Sequence, residues 1–190
     1  MAYLNEEQLN KLGFKKIGKN VKISDKASIY NPELIEIGDF SRVDDFCVLS
    51  GKITMGRNVH IAPHCLVAGG EPGVELDDFS GLAYFVQVFS QSDDYSGETM
   101  TNPTVPSIYR KEIKKKTSIG KHSIVGAGSV VLPGVRLSEG TSVGAKSLVR
   151  KSTEEWSIYL GNPAKRLKAR SRNLIELEKK FLEEERNDTI

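Results

Sequence analysis

Cysteine, histidine and tryptophan are all scarce in this 190-residue chain, which holds two, three and one of them. Two cysteines, Cys47 and Cys65, are too few for a disulfide framework, and they form no paired thiolate motif for a metal. No apolar run approaches the roughly 18 residues needed to cross a bilayer, so a membrane helix is excluded and no membrane insertion is expected. Neither sign of charge dominates, with 27 Lys and Arg against 25 Asp and Glu. Dedicated nucleic-acid binders show a basic face or stripe, and this balance offers none. The N-terminal stretch carries Glu6 and Glu7 where a secretory signal would be basic and then apolar. The expectation is a soluble, reduced, cytoplasmic protein. In that setting the match of Asn187-Asp188-Thr189 to a glycosylation acceptor means nothing.

What the chain has in plenty is a repeat. From Ile119 an aliphatic residue returns at every sixth position: Val125, Val131, Leu137, Val143 and Val149. Upstream the same step runs Ile17, Ile23, Ile29, then Ile37, Val43, Leu49, Met55, Ile61, Val67, then Leu76, Leu82, Val88. Four residues after these eighteen aliphatics, fifteen positions are Ala, Val, Ser, Thr or Cys, the exceptions being Glu33, Ile53 and Glu71. A sustained period of six suits neither a helix nor an ordinary strand. It suits a short strand, a corner, and repetition. The interruptions add two, three and twenty-five residues, after the third, ninth and twelfth hexads. If three hexads make one triangular turn, every insertion leaves from the same edge. This predicts an all-β solenoid of about six coils, stacked at about 4.8 Å into a column roughly 29 Å tall, with aliphatics inward and small residues beside them. Such a column needs capped ends. Residues 1–16 read as an N-terminal cap, with a short helix over 5–12 that has Asn5 as N-cap and Gln8 three residues on. The solenoid spans 17–153, with an extruded loop at 94–118. Residues 154–190 form a C-terminal cap, irregular over 154–170 and helical over 172–185, where Leu174, Leu177, Phe181 and Leu182 make a stripe that covers the last coil or a neighbour.

A loop as long as 94–118 is functional or disordered. Its opening, from Ser90 to Glu98, sets Asp93, Asp94 and Glu98 beside Ser92 and other hydroxyls, a pattern that serves turn chemistry or a polar substrate. Tyr84, Phe85 and Phe89 precede it and offer rings for stacking on a sugar or base, or for packing. Cys47, Cys65, Ser80 and Ser92 fall in the small-residue column and read as spacers facing the core. Phosphate-binding charge has two sources: Lys146, Arg150, Lys151, Lys165 and Arg166 near the last coil, and Lys111, Lys114, Lys115 and Lys116 closing the loop.

The hexapeptide pattern, with Val125-Gly126-Ala127-Gly128-Ser129-Val130-Val131-Leu132-Pro133-Gly134-Val135, then Val143-Gly144-Ala145-Lys146-Ser147-Leu148-Val149, and Gly161-Asn162-Pro163-Ala164-Lys165, resembles the left-handed parallel β-helix acyltransferases. Within them it is most similar to enzymes that N-acylate nucleotide-linked 4-amino-4,6-dideoxy sugars for surface polysaccharides such as lipopolysaccharide. The resemblance implies a left-handed parallel β-helix, a homotrimer, and acetyl-CoA or another acyl-CoA as cosubstrate in the groove between adjacent columns. It implies that the Ala127 amide meets the thioester oxygen and that Ala145 binds the pantetheine arm, with the basic residues near the last coil on the coenzyme's phosphates. Galactoside-type members use a histidine at the start of the corresponding loop as general base towards a sugar hydroxyl. Here Asp93 or Asp94 takes that place. A carboxylate of pKa about 3.9 is a poor base for an alcohol but can hold an ammonium. The expected activity is therefore N-acylation, with acetyl as the expected acyl group, and Asp94 or Asp93 orienting the amine of a nucleotide-activated amino sugar. O-acetylation of a sugar hydroxyl with His64 as base, and a non-catalytic scaffold, are the alternatives. The three histidines also bring to mind proteins resembling γ-class carbonic anhydrases. Their spacing matches poorly, His60 and His64 being four apart and His122 downstream, and no metal is expected.

Overall fold

The hexad register closes into a three-sided column of parallel strands in a computed structural model describing residues 2–187. One face stacks Lys16–Ile17, Ile35–Ile37, the ends of Val48–Met55 and Leu66–Leu76, then Thr117–Ile119 and Arg136–Leu137. The second face carries an unbroken register through Ile23, Val43, Ile61, Leu82, Val125, Val143 and Tyr159. On the third, Val88, Val131 and Val149 lie directly over one another. Sixteen of the eighteen repeat aliphatics are buried to 3% exposure or less, while Ile17 and Ile29, in the first coil, are partly buried against the same cluster. The small residues have a second task besides saving space. Ser41, Ser123 and Ser129 each donate their hydroxyl to a carbonyl of the next coil, Gly56, Ser138 and Gly144, so buried polar atoms tie rung to rung.

All three insertions leave from the edge between the third and first faces, as the multiples of three require. The first is a turn of 3-10 helix at Pro32–Leu34, and the second is absorbed as the continuous strand Leu66–Leu76 rounds the edge. The third is the long excursion. Its stem is an antiparallel pair, Gln91–Asp93 against Glu112–Lys114, so it opens slightly before residue 94. Ser92, read as a core spacer, is half-buried on that stem. Ser90 is the buried serine, its hydroxyl donating to Gly69, because the strand keeps its in–out alternation past Val88.

The column exceeds six coils, since Ser157–Leu160 starts a seventh turn on the second face. The stretch 154–170 is not irregular: Ser157–Leu160 turns at Gly161 and returns as Lys165–Ala169, antiparallel. At the other end Glu6–Leu12 (α1) carries the reciprocal Asn5–Gln8 capping box and buries Leu9. The C-terminal helix Leu174–Arg186 (α2) lies along the flank of its own column rather than over the last coil. Glu178 meets Lys121 and His122 at 2.6 and 2.8 Å, Glu185 meets Arg57 at 2.7 Å, and Phe181 sets its edge on Phe79. Asp188 and Thr189 of the sequon, residue 190 and Met1 lie outside the described residues.

Candidate active site

Two corners of the column gather the candidate residues, and a whole face separates them. The third residue after thirteen of the eighteen aliphatics turns the corner with positive φ, a conformation that few bulky residues adopt. At the corner between the second and third faces these residues are Phe46, His64, Phe85, Gly128 and Lys146, with φ from 57° to 67°. Phe46, His64 and Phe85 stack face to face, with centroids 5.0 and 4.7 Å apart. That column was present in the sequence as a second spacing, three after each aliphatic. Both faces of the His64 imidazole are covered, and among the described residues no carboxylate orients it. His60 and His122 do have such partners, Asp44 and Glu178, each at 2.8 Å, and they sit elsewhere on the column. Among the described residues no three His, Cys, Asp or Glu side chains gather as a metal group.

Above Phe85 the same corner changes character. Gly126 has no room for a side chain, since a Cβ there would stand 2.5 Å from the Ala145 nitrogen. The two coils therefore meet backbone to backbone. Ala127 and Ala145 follow, half-buried and exposed, and the Ala127 carbonyl accepts from Lys146 N–H at 2.8 Å. Among the described residues the N–H groups of Ala127 and Ala145 find no acceptor within the chain. This is a column of small residues with free amide donors, open to a ligand along the corner. Tyr84 and Phe85, each more than half exposed, stand one rung below.

The second corner is the root of the excursion. Phe89, Leu132 and Arg150 lie in register on three successive rungs. With Ile113 and Pro133 they wall a cavity of about 580 Å³ whose polar side is Gln91, Ser92 and Asp93. Asp94, the next residue, lines a different cavity of about 600 Å³ within the excursion, with Thr99, Met100 and Val105. The two acids thus part rather than face one substrate atom together. Among the described residues the Asp93 carboxylate accepts only from Asn102 N–H at 3.3 Å. Asp94 accepts from the Ser96 N–H at 3.0 Å, the Ser96 hydroxyl at 2.8 Å and Thr99 at 3.2 Å. The Ser96 backbone donor, helped by its hydroxyl, holds the Asp94 carboxyl below the usual carboxylate range. Glu98 is exposed and lines neither cavity.

The basic residues divide in the same way. Lys146 stands on the small-residue corner, with its ammonium folded over Gly128. Arg150 and Lys151 stand at the root of the excursion, and Lys165 pairs along Leu160 on the terminal hairpin. Arg166 is taken by Glu154 at 3.0 Å, Lys114 by Glu71 and Lys116 by Glu75. Cys47 and Cys65 are buried thiols donating to Ala62 and Ala83, as expected of core spacers.

No protein-family model matches the chain. A curated relative does, over nearly its whole length: an Escherichia coli protein described as dTDP-4-amino-4,6-dideoxy-D-glucose acyltransferase is 45% identical over 184 residues, 95% of each chain. The chain belongs to the dTDP-4-amino-4,6-dideoxyglucose acyltransferase family. Its fold agrees with solved structures of AntD, an N-acyltransferase from Bacillus cereus. The complex of AntD with dTDP and 3-hydroxybutyryl-CoA superposes at a TM-score of 0.95, with 44% identity over 97% of this chain and 98% of that one. Another AntD variant, bound to dTDP-4-amino-4,6-dideoxyglucose and coenzyme A, gives 0.94 with 45% identity over 95% and 97%. AntD variants with one aspartate replaced by alanine or by asparagine still hold dTDP and coenzyme A. As an acyltransferase of this family, the chain has its expected all-β solenoid.

Proposed function

We propose that this chain transfers an acyl group from an acyl-CoA to the amine on C4 of a dTDP-linked 4-amino-4,6-dideoxy sugar. The full-length match to a family of that specificity carries the reading, and the free amides and acidic turn give it a chemistry. The amine lone pair attacks the thioester carbonyl, an N–C bond forms and the C–S bond breaks. The Ala127 N–H donates to the oxygen as charge builds there, the role of a preorganised oxyanion donor. Ala145 holds the pantetheine arm, and Lys146, Arg150, Lys151, Lys165 and Arg166, drawn from two copies, surround the coenzyme's phosphates. Asp94, kept ionised and rigid by Ser96 and Thr99, orients the amine and takes its proton, which finally neutralises the CoA thiolate. Tyr84, Phe85, Ser92 and Glu98 contact the acceptor. In one chain the amide corner and the acidic turn are a whole face apart, so the site is complete only where two copies meet. A homotrimer, in which each excursion reaches its neighbour's corner, supplies that meeting. Both cosubstrates are cytoplasmic metabolites, which puts the reaction in the cytoplasm, and the product feeds surface polysaccharide such as lipopolysaccharide.

Thiol release from acetyl-CoA and 3-hydroxybutyryl-CoA tests the reading, with dTDP-4-amino-4,6-dideoxyglucose and its 4-hydroxy counterpart as acceptors. Release with the amine alone is expected. Release with the hydroxy sugar, or with neither, overturns it.

A further inference from the structure

The small-residue column at the amide corner stops abruptly. Leu82, Val125 and Val143 lie in register, and so do Gln87, Val130 and Leu148, so the residues between them stack rung on rung. Tyr84, Ala127 and Ala145 therefore form one line along the corner. The same main-chain bond repeats along it: Phe85 N–H donates to the Pro63 carbonyl, Gly128 N–H to that of Tyr84 and Lys146 N–H to that of Ala127. Read downward, two methyl side chains are followed by a phenol. Rungs are about 4.8 Å apart, which sets the distance from the Ala127 level to the ring. Tyr84 is 56% exposed, so the ring adds little to the core. A tyrosine held out beside open amide donors offers an apolar body to a ligand.

The acyltransferase reading gives this line a direction. The pantetheine arm meets Ala145 and the thioester oxygen meets Ala127, so the donor descends the corner, and the next rung on that course is Tyr84. The methyl of an acetyl group stands about 1.5 Å beyond the carbonyl carbon. Adding a carbon–carbon contact of about 3.5 Å brings it to the ring one rung away. A butyryl chain carries its methyl roughly 4 Å from the carbonyl, and the same contact then overshoots the rung spacing. We propose that Tyr84 closes the acyl end of the site and restricts the transferred group to acetyl, by filling the space a longer chain needs. This rests on the acyltransferase reading and selects the acyl chain that the reading leaves open. The acceptor stays within reach of the same ring, because its amine attacks the carbonyl that the ring faces.

The test uses the full chain with Tyr84→Ala and Tyr84→Phe, and acetyl-, butyryl- and hexanoyl-CoA as donors. Two ratios of butyryl-CoA to acetyl-CoA are read for each protein. One is kcat/KM with the amino sugar nucleotide, and the other is affinity by calorimetry without acceptor. Two methylenes that overfill a pocket should disfavour butyryl-CoA roughly hundredfold in the wild type. Tyr84→Ala should recover most of that factor in both ratios, while Tyr84→Phe keeps the ring and should leave both low. Equal ratios in the wild type and Tyr84→Ala overturn the proposal. So does an equal rise in Tyr84→Phe, which would make the hydroxyl the determinant, or a fall in sedimented mass without a change in ratio, which would give the ring to the contact between copies. Calorimetry needs no turnover. A wild type that binds acyl-CoA with this preference but acylates no amine would refute the proposed function and leave Tyr84 its role, and amine acylation at one rate with all three donors would do the reverse.

Discussion

At the scale of single residues, the groups that hold a carboxylate in place also tune it. Asp94 is fixed by three local donors, and those donors lower its affinity for a proton. The sign matters for pH dependence. A carboxylate with a lowered pKa keeps its charge below the ordinary carboxylate range and gives it up only in stronger acid. Across the range where an amine becomes neutral, Asp94 is therefore already ionised. The pH–rate profile should rise with amine deprotonation and show no limb at ordinary carboxylate pKa. Asp94→Asn should lower kcat by roughly 10²-fold, the low end for a positioned acid–base group, with KM for acyl-CoA unchanged. Steady-state kinetics over pH check both statements, and a near-normal kcat would remove Asp94 from the reaction. His64 illustrates what sequence position conceals. Its place in the hexad was readable, but its enclosure between Phe46 and Phe85 depends on residues eighteen behind and twenty-one ahead, brought adjacent only by coiling.

At the scale of elements, two devices hold the column's outer parts in place. The first is the close backbone approach at Gly126. A Gly126→Val side chain would drive the Ala127 and Ala145 corners apart, because the atom it meets is main chain and cannot swing away. A large drop in Tm or failure to fold is the expected outcome, and a wild-type melt would show that the coils have slack. The second is the clasp of α2. Burial alone would raise the pKa of Glu178, but hydrogen bonds from Lys121 and His122 outweigh it and leave the carboxyl below its ordinary value. Its stabilising contribution is thus complete above the unfolded carboxylate pKa and is lost as pH falls through the lower folded value. Hydrogen exchange should show α2 loosening first in acid, and Glu178→Gln should cost about 1.5–3 kcal/mol at neutral pH. Equal protection of α2 in both proteins would mean that Phe181 and Glu185 hold the helix unaided. The helix and its apolar stripe were legible in sequence. Its destination was not, since the partners Arg57, Phe79 and Lys121 are distributed over separate coils.

At the scale of the whole molecule, the excursion is the feature that a single column leaves unfinished. Ile108 is 82% exposed and Tyr95 88%, on a segment whose stem is otherwise hydrogen-bonded. Apolar side chains held out on an ordered loop suit a surface of a second copy. Sedimentation should give three copies per particle for the wild type. Ile108→Ser with Tyr109→Ser should shift mass towards smaller species and lower activity in parallel. A fully active monomer would refute the shared site. Because the amide corner and the acidic turn lie a face apart in each chain, association and turnover should be lost together at low protein concentration.

The sequence by itself determined the solenoid, because a period of six repeated eighteen times leaves one way to bury every aliphatic and pair every backbone group. It also determined the common edge of the three insertions, which is arithmetic on the repeat. Only the tertiary structure decided that Asp93 and Asp94 line different cavities, that Arg150 joins the first of them, and that the terminal segment folds into a hairpin and a flanking helix. Periodicity fixes which way a residue points within its rung. It carries no information on what an insertion's side chains meet, because those contacts come from other rungs and obey no repeat.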